Sequence, residues 1–301
     1  MNAAEWGLLL LRCRLSPEDC PLTQAQMRSL QERVRAHGRP LLPVMEVDAG
    51  YLRSIGCTER ETQQVLARFA QEDALRTRLR QWRTMGITVC TAKSAGYPGQ
   101  LLRRLSGDAP PVLFLRGDPT LLRTPCISVV GARELLPENA AFAAEVGRLA
   151  AGNGLTLVSG NARGADRAAQ DACLRAGGAV IAFVADRLLD HPLHKRVLYV
   201  TEEVPEADFT VGRALARNRL IHAQGACVFA AQCASGSGGT WRGTTDNLAR
   251  GYSPVYIFAD GSEGAAAIKA RGGVQLSMET LRSAGFIQGI QTLAAGGGAS
   301  G

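Results

Sequence analysis

Between Cys126 and Asp166 the chain writes one pattern twice. A short apolar run, CISVV or LTLV, breaks into a glycine-bearing turn, GAR or SGNARGAD, and a helix-spaced segment follows each turn. Runs of four or five apolar residues bounded by glycine read as buried strands, and the interval between them carries Phe142, Val146, Leu149 and Ala150 on one helical face. Pro137 suits the first turn of that helix, and Gly152 and Gly154 close it. Strand, glycine turn and helix in that order build a parallel sheet whose turns gather at the carboxyl edge, where free helix N-terminal N–H groups favour anions.

The alternation continues through the chain. Strands are expected at 87–91, 112–115, 126–130, 155–158, 179–185, 226–231 and 254–258, with helices at about 138–151, 165–176, 211–223 and 240–250 and a less regular stretch before residue 211. Before the first strand the pattern is helical: Leu22–His37 places Met27, Leu30 and Val34 at helical spacing, and Thr58–Phe69 follows a turn at Gly56. Leu52–Phe69 has the cadence of a helix-turn-helix, but two packed helices of a bundle look the same, and the bundle is the favoured reading. The expected fold class is α/β: a Rossmann-like, mostly parallel sheet with helices on both faces, preceded by a small N-terminal helical domain. The boundaries are 1–85 for the helical domain, 86–288 for the Rossmann-like domain and 289–301 for a mobile tail, since LAAGGGASG offers little to pack.

Composition narrows the function. Thirty-four Lys and Arg against 27 Asp and Glu give a net charge of +7, which suits an acidic partner such as nucleic acid. Only Lys93, Lys195 and Lys269 are lysines, so arginine supplies nearly all of this charge. Arg76, Arg80 and Arg83 share helical spacing and read first as a solvated face, second as a further nucleic-acid surface. The eight cysteines form no CxxC pair and fit free thiols in a reducing compartment. His191 and His194 form HxxH without a third ligand nearby, so no metal is assigned. There is no basic leader and no bilayer-length apolar run, so a cytoplasmic protein without a membrane partner is expected.

Four clusters can carry chemistry. Gly131-Ala132-Arg133 ends the first strand of the repeat, joining close backbone approach to a planar donor fork. After the second strand, Ser159, Gly160, Ala162 and Gly164 form a turn suited to cradling an anion, with Asp166 placed to cap the helix and brace the turn. Arg213, Arg217, Asn218 and Arg219 lie on one helix, where Arg213 and Arg217 sit four apart and would repel unless an anion lies between them. Ser235-Gly236-Ser237-Gly238-Gly239-Thr240 is another glycine loop opening a helix. No GxGxxG follows the first strand, so no dinucleotide cofactor is expected, and no other cofactor is assigned.

Taken in order, GAR at 131–133, SGxAxGxD at 159–166, RNR at 217–219 and SGS at 235–237, with YPxxLL at 97–102 and PPVLFLRG at 110–117, resemble the DNA-processing protein A family, also called DprA or Smf. The resemblance covers roughly residues 50 to 280. It implies a Rossmann-like domain that binds single-stranded DNA in natural transformation, forms a homodimer and hands the strand to the recombinase RecA, with no catalytic step. Carried over, Arg133, Ser159, Gly160, Arg217, Asn218, Arg219, Ser235, Gly236 and Ser237 would line its phosphate-binding pocket. Three departures stand out: Gln170 replaces a usual histidine, the loop after SGS is enlarged to SGSGGTWRGTT, and the winged-helix domain of many members is absent.

The leading expectation is therefore a non-enzymatic single-stranded DNA binder held mainly by phosphate contacts, with Trp241 and Phe209 as candidate stacking platforms. Arg133, Arg217 and Arg219 are expected to converge on one anion. The rival is a nucleotide-binding or nucleoside-monophosphate-cleaving protein resembling the LOG phosphoribohydrolases, for which Asp246 is the nearest carboxylate after the loop.

Overall fold

The computed structural model describes residues 1–16, 19–38 and 47–296. The chain divides into two compact units that do not follow sequence order: Met1–Tyr97 with Gly107–Leu115 and Glu202–Pro205, and Pro98–Ser106 with Arg116–Thr201 and Glu206–Gly301.

The first unit holds α1 (Ala3–Arg12), α2 (Gln24–Ala36), α3 (Ala49–Ser54), α4 (Glu59–Phe69) and α5 (Glu72–Thr84), then β1 (Ile87–Thr91) beside β2 (Val112–Arg116). Its helices start where side chains satisfy the free N–H groups of the first turn: Asn2 with Glu5, Thr23 with Gln26 and Thr58 with Glu61 form reciprocal capping boxes. Leu8–Leu11, Met27, Leu30, Val34, Leu52, Val65, Leu75 and Trp82 are buried, so α3 and α4 pack as part of a bundle with α1. A buried ion pair, Arg68 to Asp19 at 2.8 Å, ties the bundle together, and Arg68 also donates to the Leu10 carbonyl at 2.8 Å. Burial raises the Asp19 carboxyl, but Arg68 and Gln71 outweigh it and hold the group well below the usual carboxylate range. Arg76 pairs with Glu72 one turn away and lies 4.5 Å from the Trp6 ring centre, so this member of the basic run already has partners.

In the second unit α6 (Gly99–Leu105) precedes β3 (Cys126–Val130), α7 (Pro137–Gly152), β4 (Thr156–Ser159), α8 (Ala165–Arg175), β5 (Val180–Phe183), β6 (Val197–Thr201), α9 (Val211–Gln224), β7 (Val228–Ala230), α10 (Gly238–Arg250), β8 (Val255–Phe258), α11 (Glu263–Lys269), β9 (Val274–Leu276), α12 (Met278–Arg282) and α13 (Ala284–Gly296). The strand order here is β6-β5-β4-β3-β7-β8-β9, with every neighbouring pair parallel. Residues on both strand faces are buried, as a sheet covered on two sides requires. From β3 the chain steps outward through β4 and β5 to β6, and α9 then carries it back to β7 on the other side of β3. Right-handed crossovers put α7 and α8 on one face and α9 and α10 on the other. The Rossmann-like architecture with helices on both faces is thus the one expected.

Two stretches differ from expectation. Val197–Thr201 is a strand inside the stretch read as irregular, paired in register with β5 through Ile181 and Leu198. Residues 289–296 belong to α13, with Ile290 and Ala294 buried, where a mobile tail from 289 was expected. Alanine and leucine are strong helix formers, and α13 sets Phe286 edge-on to Tyr256, which anchors it. The end of the expected tail, 297–301, lies outside the described residues.

Candidate nucleic-acid interface

The direction of winding reverses at β3, so the turns after β3 and β7 diverge and leave a crevice at the carboxyl edge of the sheet. A cavity of about 430 Å³ opens there. Gly131, Ala132 and Arg133 line it from the β3 turn, Gln232, Ala234 and Ser237–Thr240 from the β7 turn, Ala162 and Asp166 from the β4 turn, and α9 forms a wall. Val211, Ala214, Leu215, Asn218, Ile221 and His222 all lie on the cavity side of α9, the i, i+3, i+4 spacing of one helical face.

Arg217 is the most deeply held cation at this edge. Its Nη1 donates to the Phe183 carbonyl at 3.0 Å, while its buried Nε has no hydrogen-bond partner. Burial lowers its pKa, and Asp166 and Asp186 oppose that shift. Asp166 accepts the backbone N–H groups of Gly160 at 3.0 Å and Ala162 at 3.1 Å through one oxygen. Burial raises its pKa, countered first by Arg217 and then by those N–H groups. Gly160 is required by packing: a Cβ there would stand 1.6 Å from Arg217 Nη1. Arg133 is exposed and has no partner among the described residues, so its donor fork is available at the cavity rim. Opposite, α10 starts without a side-chain cap from Ser237, which leaves the N–H groups of its first turn and the Ser237 hydroxyl unclaimed. Asn218 Nδ2 donates to the Gly239 carbonyl at 3.2 Å and fixes α9 against this loop.

Of the residues singled out in the sequence, Gly131, Arg133, Ala162, Asp166, Arg217, Asn218, Ser237, Gly239 and Thr240 line the cavity. Ser159, Gly160, Gly164, Arg213, Arg219, Ser235 and Gly236 do not, for identifiable reasons. Ser159 is buried and accepts from Gln170 Nε2 at 2.5 Å, so the glutamine that departs from the family pattern holds the serine hydroxyl inward. Gly164 sits at φ +80°, and a Cβ there would meet the Ala132 carbonyl at 2.2 Å; it joins the β3 and β4 turns. Arg213 turns away from Arg217 and donates to the Ala207 carbonyl at 2.7 Å, to the Asp208 carbonyl and to Thr201 Oγ1 at 3.3 Å. The repulsion expected between Arg213 and Arg217 is thereby relieved by backbone carbonyls. Arg219 is two residues from Arg217, hence on another side of the helix, and donates to the Ala216 carbonyl. Arg133 and Arg217 share the cavity; Arg219 does not join them.

Sequence reasoning missed Leu215, Ile221, His222 and Gln232, although the helical spacing from Asn218 to His222 carried the signal for the second and third. Phe209 lines the mouth and is 49% exposed, whereas Trp241 stays outside the cavity with the Arg271 guanidinium 4.7 Å from its ring centre. Asp246 is also outside, paired with Arg250 at 2.8 Å, which leaves Asp166 the sole carboxylate lining the cavity. Away from the cavity, His191 pairs with Asp186 at 2.9 Å and His194 accepts from the Arg196 N–H at 3.1 Å. Among the described residues no group of three His, Cys, Asp or Glu side chains could hold a metal ion, and no helix is long and apolar enough to cross a membrane.

Comparison with known proteins agrees with this geometry. A family model described as DNA recombination-mediator protein A matches residues 88–249, more than half of the chain. DNA processing protein DprA of Streptococcus pneumoniae strain R6 is 33% identical over 142 residues, which are 43% of this chain and 50% of the relative, so the match spans half the relative's length. The X-ray structure of the S. pneumoniae DNA processing protein A superposes with a TM-score of 0.72 at 24% identity, covering 93% of this chain and 98% of that one. A structure of DNA processing protein A from Helicobacter pylori, solved for its single-stranded DNA binding mode, superposes with a TM-score of 0.55 at 23% identity over 68% of this chain and 96% of that one. At these identities the two superpositions speak for the fold.

Proposed function

The chain belongs to the DNA recombination-mediator protein A family, and on that footing we propose that it binds single-stranded DNA at the carboxyl edge of its parallel sheet, without a catalytic step. The observation that carries the reading is the donor set around one cavity: a free Arg133 fork, a buried Arg217 with an unmatched Nε, and the uncapped start of α10. Phosphate oxygens satisfy all three, and such contacts supply most of the affinity of single-strand binders. The net charge of +7 adds long-range attraction for a polyanion. Two relatives are named for DNA processing, one of them in a structure of its single-stranded DNA binding mode, which supports the same reading. Against nucleoside-monophosphate cleavage stands the placement of the carboxylates: Asp246 faces Arg250 outside the cavity, and Asp166 is committed to two backbone N–H groups. Dimerisation, delivery of the strand to the recombinase RecA and a cytoplasmic location are part of this proposal and come from the resemblance alone.

Binding of a fluorescent oligonucleotide, single against double stranded and at two salt concentrations, tests the proposal. The single strand is expected to bind more tightly, with little dependence on sequence at most positions and a steep loss at higher salt. Salt-independent binding, or none at micromolar protein, contradicts it. Release of free base from nucleoside monophosphates by the wild-type protein contradicts the absence of a catalytic step.

A further inference from the structure

The cavity is larger and more apolar than a backbone phosphate needs. Its volume of about 430 Å³ falls in the range of sites that enclose small molecules, and Phe209, Leu215 and Ile221 contribute apolar walls. One buried polar group interrupts them. His222 is 1% exposed, yet it lines the cavity, and its Nδ1 lies 3.1 Å from Asn247 Nδ2. The orientation of Asn247 is set by its Oδ1, which accepts the Ser253 N–H at 2.9 Å, so the amide nitrogen must face the ring. Nδ1 is then an acceptor, and the ring hydrogen sits on Nε2. That Nε2–H has no acceptor among the described residues. Burial also pushes the His222 pKa down to about 4, which keeps the ring a neutral donor at neutral pH. Gly243 keeps the space beside it open, since a Cβ there would come within 3.0 Å of Nε2. Five residues, about 7.5 Å along the helix axis, separate Arg217 from His222. A nucleotide with its phosphate at Arg217 can reach that far with its base.

We infer that the cavity takes in one nucleobase of the bound strand and that His222 Nε2–H donates to a carbonyl oxygen of that base. The inference rests on the single-strand reading and adds a base-reading position to it. Thymine, cytosine and guanine carry such an oxygen; adenine does not. A donor left unmatched in an apolar wall costs free energy that a carbonyl ligand restores, so the preference resides in one hydrogen bond and is modest in size.

The test varies the ligand before the protein. Affinity is measured by anisotropy for a short oligothymidylate and for the same strand built from difluorotoluene nucleotides, which keep the shape of thymine without its carbonyl acceptors. The thymine strand is expected to bind about five- to tenfold more tightly, as one buried hydrogen bond predicts. His222→Phe and, independently, Gly243→Ala, which fills the space beside the donor without touching the histidine, are each expected to lower thymine binding to the level of the isostere and leave isostere binding unchanged. Thermal melting confirms that each variant is folded, and Gly243→Ala decides the question if His222→Phe is not. Equal affinity of the two strands for the wild type, or an advantage of thymine that survives Gly243→Ala, overturns the inference while leaving single-strand binding in place. Absence of binding to either strand overturns both.

Discussion

The turn after β4 and the turn after β7 look alike in sequence, each a serine-glycine loop opening a helix at the same sheet edge, but they spend their polar groups differently. In the first, Asp166 takes the N–H groups of Gly160 and Ala162, and Gln170 takes the Ser159 hydroxyl. In the second, Ser237 caps nothing and the first N–H groups of α10 remain open beside the cavity. A loop that satisfies itself is a scaffold, and here it sets Asp166 against Arg217. A loop that leaves donors unmatched is where an anion gains most. The same division separates the arginines: Arg213 is spent on carbonyls of its own unit, while Arg133 keeps its fork free.

The largest expected effect comes from opening the closed loop. Asp166→Ala removes the acceptor of two backbone N–H groups and the countercharge of Arg217, and chemical denaturation should show a loss of roughly 2–4 kcal/mol. Asp166→Asn, which keeps an acceptor oxygen, should lose clearly less. Equal losses would mean that the charge, and not the bracing of the turn, is what matters.

His222 gives a pH signature on the open side. Its pKa falls from 6.5 in the unfolded chain to about 4 in the folded protein, so the unfolded state takes up the proton first. The contribution of the neutral ring to stability is complete above pH 6.5 and is lost as pH falls toward 4, reaching about 3 kcal/mol from this one group. Denaturation midpoints between pH 7 and 4 should fall more steeply in the wild type than in His222→Phe. Parallel curves would mean that the ring is not held neutral by burial.

Smaller and opposite effects should distinguish the two serines. Ser159→Ala strands Gln170 and should cost about 1 kcal/mol of stability without changing single-strand affinity. Ser237→Ala should leave stability unchanged and weaken binding about three- to fivefold, equivalent to one hydrogen bond of about 1 kcal/mol. The comparison of loops fails if the two variants behave alike.

Much of this architecture was legible locally. Five-residue apolar runs, glycine turns and the spacing of Phe142, Val146 and Leu149 are set by nearby residues, and β3, β4, α7, α8, α9 and α10 appear where those signals lie. β6 escaped because Val197–Thr201 follows a charged, histidine-bearing loop, and its identity as a strand depends on pairing with β5. β9 is three residues long and depends in the same way on β8. In the site, residue type indicated which groups could bind an anion but not which were already engaged. Arg213, Arg217 and Arg219 are the same residue on one helix. Only the direction of each side chain, toward a loop carbonyl, the cavity edge or its own helix, separates their roles. His222 was overlooked because its significance comes from Asn247 and Ser253, 25 and 31 residues further on.

The contrast between Arg217 and Arg219 tests the central claim most directly, because the two are near neighbours of equal charge and differ in which side of α9 they occupy. Affinity for one labelled single strand is measured for Arg217→Ala and Arg219→Ala side by side at fixed salt. Losing a charge-assisted hydrogen bond at the cavity costs about 1.5–3 kcal/mol, so Arg217→Ala should weaken binding by about ten- to a hundredfold, while Arg219→Ala stays within about threefold of wild type. Equal losses, or the larger loss in Arg219→Ala, would place the strand on the other side of the helix and contradict the assignment of the cavity as its binding site.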